Sequence, residues 1–333
     1  MKAVLMRKYG DNAVVEVADV PRPTLGAGEV LVEVHAASVN PIDFKTRNGD
    51  VRMILRYELP LVMGNDLSGV VVERGPGVTE VATGDAVYAR LGKRRIGAFA
   101  EYAAVRVADL APKPVSLDHV QAASLPLVGL TSLQALRERA HLAAGQKVLI
   151  HAGSGGVGTF AIQLAKHMGA TVATTCSAKN ADLVRSLGAD VVVDYKSQRF
   201  DEVLSGYDVV LDGLGGDTLD RSFAVLAPGG CVVSISGTPD PKFARDWQLN
   251  TLLRVGIWAM SRKVMRLARR HQVRYEFLFM DPSGAQLREI GALVDSGVIK
   301  PVVDREFALD DAREALAYSE SGHARGKVVL KIR

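Results

Sequence analysis

The chain has 333 residues, which is long enough for two domains with separate hydrophobic cores. Hydrophobic residues make up 48% and charged residues 23%, as in ordinary globular proteins, and a net charge of +4 gives no argument by itself for a nucleic-acid partner. There is no basic-plus-apolar leader and no apolar run long enough to span a bilayer, so we expect a cytoplasmic protein with no membrane partner.

The first third of the chain is predicted to be rich in β-strands. Short apolar runs alternate with turn-forming segments such as Pro21-Arg22-Pro23 and Gly75-Pro76-Gly77. Strands of this length and spacing indicate a compact, barrel-like β domain. The predicted strands are Ala3–Leu5, Val14–Val17, Glu29–Ala37, Ser68–Glu73, Ala86–Ala89 and Ala98–Val105.

From about Ser124 the pattern changes to alternating helix and strand. Leu130–Ala140 has the spacing of a helix, and strands are predicted at 147–151, 171–175, 190–194, 208–212 and 230–235. This alternation predicts an α/β fold with a parallel, doubly wound sheet. Strand-like runs return after Ser296. We therefore expect residues 1–122 and 297–333 to form one domain, with residues 123–296 inserted as the second.

A glycine-rich turn follows the first strand of the predicted sheet. The segment KVLIHAGSGGVG (147–158) places GxGxxG after an apolar run and before the amphipathic helix predicted at Thr159–Met168. In this context Gly153 permits the tight turn, Gly155 lets the backbone approach a pyrophosphate, and Gly158 lets the helix lie close to the strand. The alternative is a βα turn that binds nothing; the motif in this context favours a dinucleotide site.

The residues after the second strand indicate which dinucleotide is bound. An NAD enzyme keeps an acidic residue there for the ribose 2′-OH, but residues 174–180 read TTCSAKN. Ser177 and Lys179, together with Tyr195 after the third strand, favour a 2′-phosphate and therefore NADPH. Lys179 alone is equally consistent with a solvated lysine, and Tyr195 with a surface aromatic.

One stretch, Arg262–Arg274, is densely basic. Its simplest interpretation is a solvated helix face with Val264, Met265 and Leu267 turned inward; the alternative is a patch that binds an anion or RNA. Cys176 and Cys231 fall on strands of the same predicted sheet and are interpreted as small core residues.

Several segments together resemble the medium-chain dehydrogenase/reductase superfamily, in its zinc-independent quinone oxidoreductase branch. They include VNPIDFK (39–45), LPLVMGNDLSGVV (59–71), GLTSLQAL (129–136), HAGSGGVGTFAIQLAKHMGA (151–170) and GHARGKVV (322–329). Within the branch they look most similar to the reticulon-interacting NADPH oxidoreductases and the enone reductases. The resemblance implies a GroES-like β-rich domain and an inserted Rossmann domain.

The chain departs from the zinc members of that superfamily. They keep a Cys near the position of Asn40 and Gly-His-Glu where this chain has Gly64-Asn65-Asp66, and residues 89–98 lack a four-cysteine lobe. Because the soft ligands are missing, we expect no metal site.

The resemblance also implies which residues act on the acceptor. Asn40 and Thr131 would position the cofactor, and Lys45 would assist as an electrophile where many relatives have Tyr. Each residue has a structural alternative. Asn40 could be a turn residue that bonds local backbone, Lys45 a surface lysine, and Thr131 a helix N-cap that forms a capping box with Gln134.

The remaining cofactor contacts are likewise implied by the resemblance. The C-terminal turn would close over the cofactor, Gly213 would lie beneath the nicotinamide ribose, and four residues of the glycine turn would hold the pyrophosphate. The alternatives are a strand-ending turn for Gly213 and a backbone-bonding loop residue for His323. The residues that would contact the cofactor in this way are Ser154, Gly155, Gly156, Val157, Gly213, His323, Arg325 and Gly326.

The resemblance predicts an NADPH-dependent reductase of a quinone or enone acceptor. Two alternatives remain: an NADP-dependent alcohol dehydrogenase, and a non-catalytic NADPH-binding sensor or RNA-binding protein. We also expect a homodimer that pairs the nucleotide-domain sheets edge to edge through Arg274–Met280.

Overall fold

The computed structural model describes all residues from Met1 to Arg333 and divides into two compact units. The first unit comprises Met1–Leu130 and Asp281–Arg333, and the second comprises Thr131–Met280. Ten strands belong to the first unit: β1 Lys2–Met6, β2 Val15–Asp19, β3 Glu29–Val39, β4 Leu61–Val62, β5 Asp66–Arg74, β6 Ala86–Arg90, β7 Tyr102–Arg106, β8 Leu110–Pro112, β15 Val303–Ala308 and β16 Lys327–Lys331. Six strands belong to the second: β9 Lys147–Ile150, β10 Thr171–Cys176, β11 Val191–Asp194, β12 Tyr207–Asp212, β13 Leu226–Ser234 and β14 Arg274–Phe277.

Eleven α-helices accompany these strands. The helices are α1 Pro41–Asn48, α2 His119–Ala123, α3 Pro126–Leu133, α4 Gly156–His167, α5 Ala181–Ser186, α6 Phe200–Val203, α7 Gly216–Ser222, α8 Pro241–Asp246, α9 Thr251–His271, α10 Gly284–Asp295 and α11 Ala312–Glu320. None of them is long and apolar enough to cross a membrane.

The first unit is built around the long strand β3. This strand pairs with β5, β7 and β16, all antiparallel, in a seven-stranded sheet, while β1, β2 and β4 form a separate three-stranded sheet. Alternate residues of β3, Val30, Val32 and Val34, are fully buried in one core, as expected for a strand with one apolar face. The unit matches the β-rich domain expected from the turn spacing.

The second unit is a six-stranded parallel sheet in the order β11-β10-β9-β12-β13-β14. The chain starts in the middle at β9, runs outward through β10 and β11, and then continues on the other side from β12 to β14. This order confirms the predicted doubly wound sheet and places its switch point between β9 and β12. Leu149, Val210 and Val232 of three adjacent strands are fully buried in its core.

The compact second unit is shorter at both ends than the insertion expected from the sequence. The helix α10, predicted to belong to the insertion, packs on the first unit. The Tyr88 hydroxyl donates to the carbonyl of Leu287, and a Cβ at Gly284 would lie 2.2 Å from the carbonyl oxygen of Leu110. These contacts of α10 with the first unit explain why the second unit ends at residue 280 and not at residue 296.

The helix predicted over Leu130–Ala140 differs in form. The α-helix α3 begins at Pro126, because proline is well suited to the first turn of a helix, and a π-helical segment follows at Gln134–Arg139. Thr131 therefore lies inside α3, and its interpretation as a helix N-cap is wrong.

Candidate active site

The glycine turn connects β9 to α4 with two very close backbone approaches. A Cβ at Gly153 would lie 2.0 Å from Thr174 Oγ1, and one at Gly158 would lie 2.4 Å from the carbonyl oxygen of Ala152. Only glycine fits at either position. Gly155 is different: it is the N-cap of α4, and a Cβ there would meet only the Ala152 carbonyl at 3.3 Å.

The first turn of α4 leaves backbone N–H groups available. Helix N-termini attract anionic groups because the first four N–H groups have no partner inside the helix. Gly155 at the N-cap makes no side-chain cap, and Ser154 beside it accepts a hydrogen bond of 2.9 Å from Asn180 Nδ2. The buried Asn180 Oδ1 has no partner. Ser154, Gly155, Gly156 and Val157 thus form a turn that fits a phosphate group.

The end of β10, next to this turn, is not followed directly by an acidic side chain. Ser177 is buried directly after β10, and Lys179 is exposed two residues later. The N–H of Tyr195 donates to the Cys176 carbonyl at 3.2 Å, so the three predicted residues lie at one place, and the Tyr195 side chain is 61% exposed. The Asp194 carboxylate accepts hydrogen bonds within its own turn, from the backbone N–H of Lys196 and from Ser197 Oγ.

The carboxyl end of β12 is fixed by Asp212. This buried carboxylate accepts from the N–H groups of Leu214 and Gly215 and from Ser234 Oγ at 2.6 Å. Gly213 sits within that turn and has room for a Cβ, whose nearest neighbour would be Ile235 at 3.8 Å. The turn is therefore held by Asp212, a residue that the sequence analysis did not select.

His151 follows β9 and is buried and neutral. Its ring nitrogens lie 3.2 Å from Thr175 Oγ1 and 2.9 Å from Ser222 Oγ, and burial lowers the pKa of the imidazole to about 4. The histidine therefore joins β9 to its neighbours as a hydrogen-bonded core residue.

In the first unit, Asn40 is completely buried and its amide is saturated. Its Nδ2 donates to the Ser38 carbonyl at 3.0 Å and to Asp66 Oδ1 at 2.8 Å, and its Oδ1 accepts from Lys327 Nζ. The bond to Ser38 is the local backbone contact of the structural alternative. Asn40 thus lies at the centre of a polar cluster and has no amide hydrogen left for a ligand.

Asp43 closes the other side of this cluster. One carboxylate oxygen accepts from the Asn40 N–H at 2.7 Å, and the other accepts from Asn65 Nδ2 at 2.7 Å. Burial raises the pKa of Asp43 to about 7, because few solvent dipoles remain to stabilise the anion. The buried Asn65 Oδ1 has no hydrogen-bond partner.

Asp66 and Lys327 supply the charges of the cluster. Asp66 accepts from Ser38 Oγ, Asn40 Nδ2 and the Leu127 N–H, while Lys327 donates to Asn40 Oδ1 and the Val39 carbonyl. Burial raises the pKa of Asp66 and lowers that of Lys327; the attraction between them partly offsets both shifts. The two side chains stabilise each other across strands that are far apart in sequence.

Arg90 is the cross-strand partner of Asp66 and is equally buried. Its guanidinium donates to the Leu91 carbonyl, but its buried Nε has no hydrogen-bond partner. Burial lowers the pKa of this group. An incompletely bonded cation therefore lies beside the cluster.

The other predicted residues have varied environments. Lys45 is half-buried on α1, and its ammonium makes no hydrogen bond or ion pair within the chain. His323 and Arg325 are exposed in the C-terminal turn, where His323 Nδ1 lies 3.1 Å from Ser321 Oγ. Gly326 is buried at a φ of +97°, and a Cβ there would lie 2.3 Å from the Val302 carbonyl. The last contact makes glycine necessary for the turn.

The positions that hold metal in the zinc members do not suit zinc here. Asn40 and Asp66 are hydrogen-bonded to each other, and Asn65 donates to Asp43. No group of three or more His, Cys, Asp or Glu side chains could hold a metal ion. The amide and carboxylate donors also lack the sulfur and imidazole ligands that zinc prefers.

The cluster was only partly visible in the sequence. Asp43 stands three residues after Asn40, the spacing of a capping box, and this signal could have been used. Asp66 was noted only as a replaced metal ligand, and Lys327 only within a matching segment. Nothing in the sequence indicated Arg90.

Comparison with known proteins agrees with this architecture. The sequence profile of the alcohol dehydrogenase GroES-like domain matches residues 26–115, and that of the zinc-binding dehydrogenases matches residues 187–330. The mitochondrial NAD(P)H oxidoreductase RTN4IP1 of Mus musculus is 37% identical and aligns with 100% of this chain and 89% of its own length. The chain belongs to the medium-chain dehydrogenase/reductase superfamily.

Within this superfamily the chain falls in the quinone oxidoreductase-like branch. The chloroplastic NADPH-dependent alkenal/one oxidoreductase of Arabidopsis thaliana is 35% identical, over 99% of this chain and 79% of the relative. The solved quinone oxidoreductase of Coxiella burnetii has a TM-score of 0.88 at 36% identity, covering 100% of this chain and 99% of that one. As a member of this branch, the protein is an oxidoreductase with a GroES-like and a Rossmann unit.

Proposed function

We propose that this protein is a zinc-independent, NADPH-dependent reductase of quinones or α,β-unsaturated carbonyl compounds. The observation that carries the proposal is the strand end beside the glycine turn, which offers Ser177, Lys179 and Tyr195 in place of an acidic residue. A carboxylate there would repel a 2′-phosphate, whereas a lysine attracts it. The names of the alkenal/one and quinone oxidoreductases support the acceptor class.

The second unit provides the cofactor site. The backbone from Ser154 to Val157 holds the pyrophosphate at the start of α4, and Lys179 neutralises the 2′-phosphate. The bound nicotinamide supplies the hydride. Asp212 keeps the turn at Gly213 in one conformation, so the surface below the cofactor is preorganised.

The first unit provides polar groups for the acceptor. A conjugated acceptor already delocalises the charge that arrives with the hydride, so the protein needs to orient it and to stabilise its oxygen. Lys45 is our candidate for that cation because its ammonium has no partner within the chain. Asn40 acts as a positioning residue, since all its amide hydrogens are already used. Thr131 remains our candidate for a contact with the cofactor.

No metal takes part in this proposal. A zinc enzyme polarises the oxygen of its substrate with a metal ion, and such a role needs ligands that this chain does not offer. The alternative of a zinc-dependent alcohol dehydrogenase is disfavoured by the hydrogen-bonded state of Asn40, Asn65 and Asp66.

We also propose a homodimer formed through the edge strand β14. This strand pairs only with β13, so its other edge is available for a second chain. The strand ends at Phe277, whose N–H already donates to Asp240 at 3.0 Å, so the pairing segment is shorter than the predicted Arg274–Met280. Sedimentation equilibrium of the purified protein tests the proposal; a monomer across the concentration range contradicts it.

The function is tested by oxidation of NADPH and NADH with a simple quinone and an enone as parallel acceptors, before and after treatment with a strong chelator. We expect turnover with NADPH, little with NADH, and no loss after chelation. Tight NADPH binding without turnover would favour the sensor, and loss of activity with the chelator would refute zinc independence.

A further inference from the structure

The helix α9 carries an exposed apolar surface that the proposed chemistry does not use. Its buried face consists of Ile257, Ser261, Val264 and Ala268, at the spacing of one helical stripe. The opposite side bears Leu252 and Val255, which are 82% and 57% exposed, and Trp258 and Met260 lie at its two margins and are 56% and 66% exposed. Single exposed apolar residues are common, but here the first three turns of one helix expose four large ones.

The second half of the same outward face is basic. At 100° per residue, Leu252, Val255 and Ala259 share a stripe with Arg262, Arg266 and Arg270, so the face is apolar at its start and cationic at its end. The helix contains six Arg and Lys side chains outside the buried stripe and no Asp or Glu. Lys263 pairs with Asp220, whereas the five arginines (Arg254, Arg262, Arg266, Arg269 and Arg270) have no ion pair.

We propose that α9, from Leu252 to Arg270, docks the protein onto an anionic lipid surface. A helix that exposes Leu252, Val255 and Trp258 near its start and arginines without ion pairs toward its end is suited to the interface of an anionic bilayer, and Arg262 already lies over the Trp258 ring at 5.4 Å. The aliphatic side chains enter the boundary of the acyl chains, and the guanidinium groups meet lipid phosphates. The sequence analysis expected no membrane partner, and this proposal departs from that expectation.

Two other occupants fit the face less well. An RNA would neutralise the arginines but leave Leu252, Val255 and Met260 exposed to water. A second copy that used the same face would bring the unpaired arginines of both helices into one contact, with no acidic residue on α9 to offset them. Anionic lipid matches both the charge and the apolar end.

The apolar end of α9 lies toward the carboxyl edge of the parallel sheet in the second unit. The connection from β13 to the parallel strand β14 leaves the carboxyl edge of the sheet and returns to its amino edge. Gln272 at the end of α9 accepts from the Gly229 N–H near the start of β13, which places the basic end toward the amino edge. The apolar end therefore lies toward the carboxyl edge, where the glycine turn follows β9. If the proposed function holds, a bilayer contact there brings this edge close to lipid-dissolved quinones.

Co-sedimentation with vesicles tests the docking without any turnover. The vesicles consist of phosphatidylcholine alone or with a quarter of phosphatidylglycerol, at about 50 and about 300 mM salt. We expect binding to the anionic vesicles only, at least tenfold weaker at the higher salt. Binding to neither vesicle at low salt, or retention of RNA in place of vesicles, overturns the proposal.

Matched variants locate the surface. The triple variant Arg262→Glu, Arg266→Glu, Arg270→Glu should weaken binding by at least roughly a hundredfold, because each removed cation contributes about fivefold. The control Lys8→Glu, Arg74→Glu, Lys331→Glu changes the net charge equally at exposed positions of the first unit that have no ion pair, and it should bind nearly as well as the wild type. Equal losses in both variants would show a nonspecific charge effect and overturn the assignment to α9.

Fluorescence separates lipid insertion from self-association. In the variant Trp247→Phe, Trp258 is the only tryptophan. We expect its emission to shift to the blue, with protection from iodide, only when anionic vesicles are added. A tryptophan that is already protected without vesicles, together with a dimer that Leu252→Ser/Val255→Ser dissociates, would assign the face to a second copy and overturn the proposal. Turnover with a soluble acceptor, measured separately, reports on the proposed function and is expected to be unchanged in these variants.

Discussion

Asp43 is a buried residue whose ionisation affects stability. Both of its oxygens accept hydrogen bonds, yet burial raises its pKa to about 7. The folded protein keeps this proton between about pH 4 and 7, where an unfolded chain has lost it. Asp43 therefore makes the free energy of unfolding fall as the pH rises through this window, by up to about 1.4 kcal/mol per pH unit, and has no further effect above it.

The variant Asp43→Asn should remove this dependence. Its Oδ1 can accept from the Asn40 N–H, and a turn of the Asn65 amide by 180° lets its Nδ2 donate to Asn65 Oδ1, the atom that has no partner in the wild type. Urea unfolding at pH 5, 6, 7 and 8 should show a stability difference that changes steadily in favour of the variant up to about pH 7. A difference independent of pH would contradict the raised pKa.

Lys179 should distinguish the two dinucleotides. Its exposed ammonium stands where a 2′-phosphate is expected, so Lys179→Ala should weaken NADPH binding about tenfold and NADH binding less than about twofold. Isothermal titration calorimetry measures both affinities. Lys331→Ala is a control for the loss of one exposed charge. Equal losses for NADPH and NADH would remove Lys179 from the 2′-phosphate site.

At the scale of elements, the packing of α4 against the glycine turn depends on Gly158. An added Cβ would be 2.4 Å from the Ala152 carbonyl oxygen and 2.6 Å from Gly153 Cα. Both are backbone atoms, which cannot move away without disturbing the turn. Gly158→Ala should lower the free energy of unfolding by about 1–3 kcal/mol. Gly155→Ala is the matched control, because its Cβ has only one neighbour, at 3.3 Å, and should change stability by less than about 0.5 kcal/mol. Thermal unfolding of both variants checks this difference; equal effects would contradict it.

The elements differ in how well the sequence predicts them. The strands β9, β10 and β12 are rich in apolar and β-branched residues, and they appear within a residue or two of their predicted bounds. The start of α3 was misplaced by four residues because Pro126 was not used as a helix signal. Its π-helical continuation depends on tertiary packing and has no simple local signal.

The polar cluster shows why the site was harder to predict than the fold. Asn40 meets Asp66 and Lys327 only because β3 pairs with β5 and β16 in one register. A shift of either strand by one residue would turn these side chains to the other face. By contrast, the contact of Gly158 with Ala152 lies within a short local motif, so the sequence was sufficient to predict the role of that glycine. Gly153 instead meets Thr174 of the neighbouring strand, a contact that the motif alone does not show.

At the scale of the whole molecule, the two units differ in continuity. The second is one uninterrupted segment that contains its complete sheet and core, whereas the first lacks β15 and β16 unless the C-terminal segment is present. A fragment of residues 131–280 should therefore unfold cooperatively and bind NADPH, and a fragment of residues 1–130 should not fold. Circular dichroism melting curves of the two fragments measure this. A cooperative transition in the fragment 1–130 would contradict the importance of β16.

The discontinuity of the first unit also sets an order of events on the ribosome. The strand β16, which pairs with the central strand β3, is synthesised after the whole of the second unit. That unit ends at Met280, and β16 begins 47 residues later at Lys327. At translation rates of about 5–20 residues per second, that leaves roughly 2–9 seconds in which the second unit can fold first. Throughout that interval the nascent β domain exposes the edge of β3, so this half of the protein has the greater need of a chaperone.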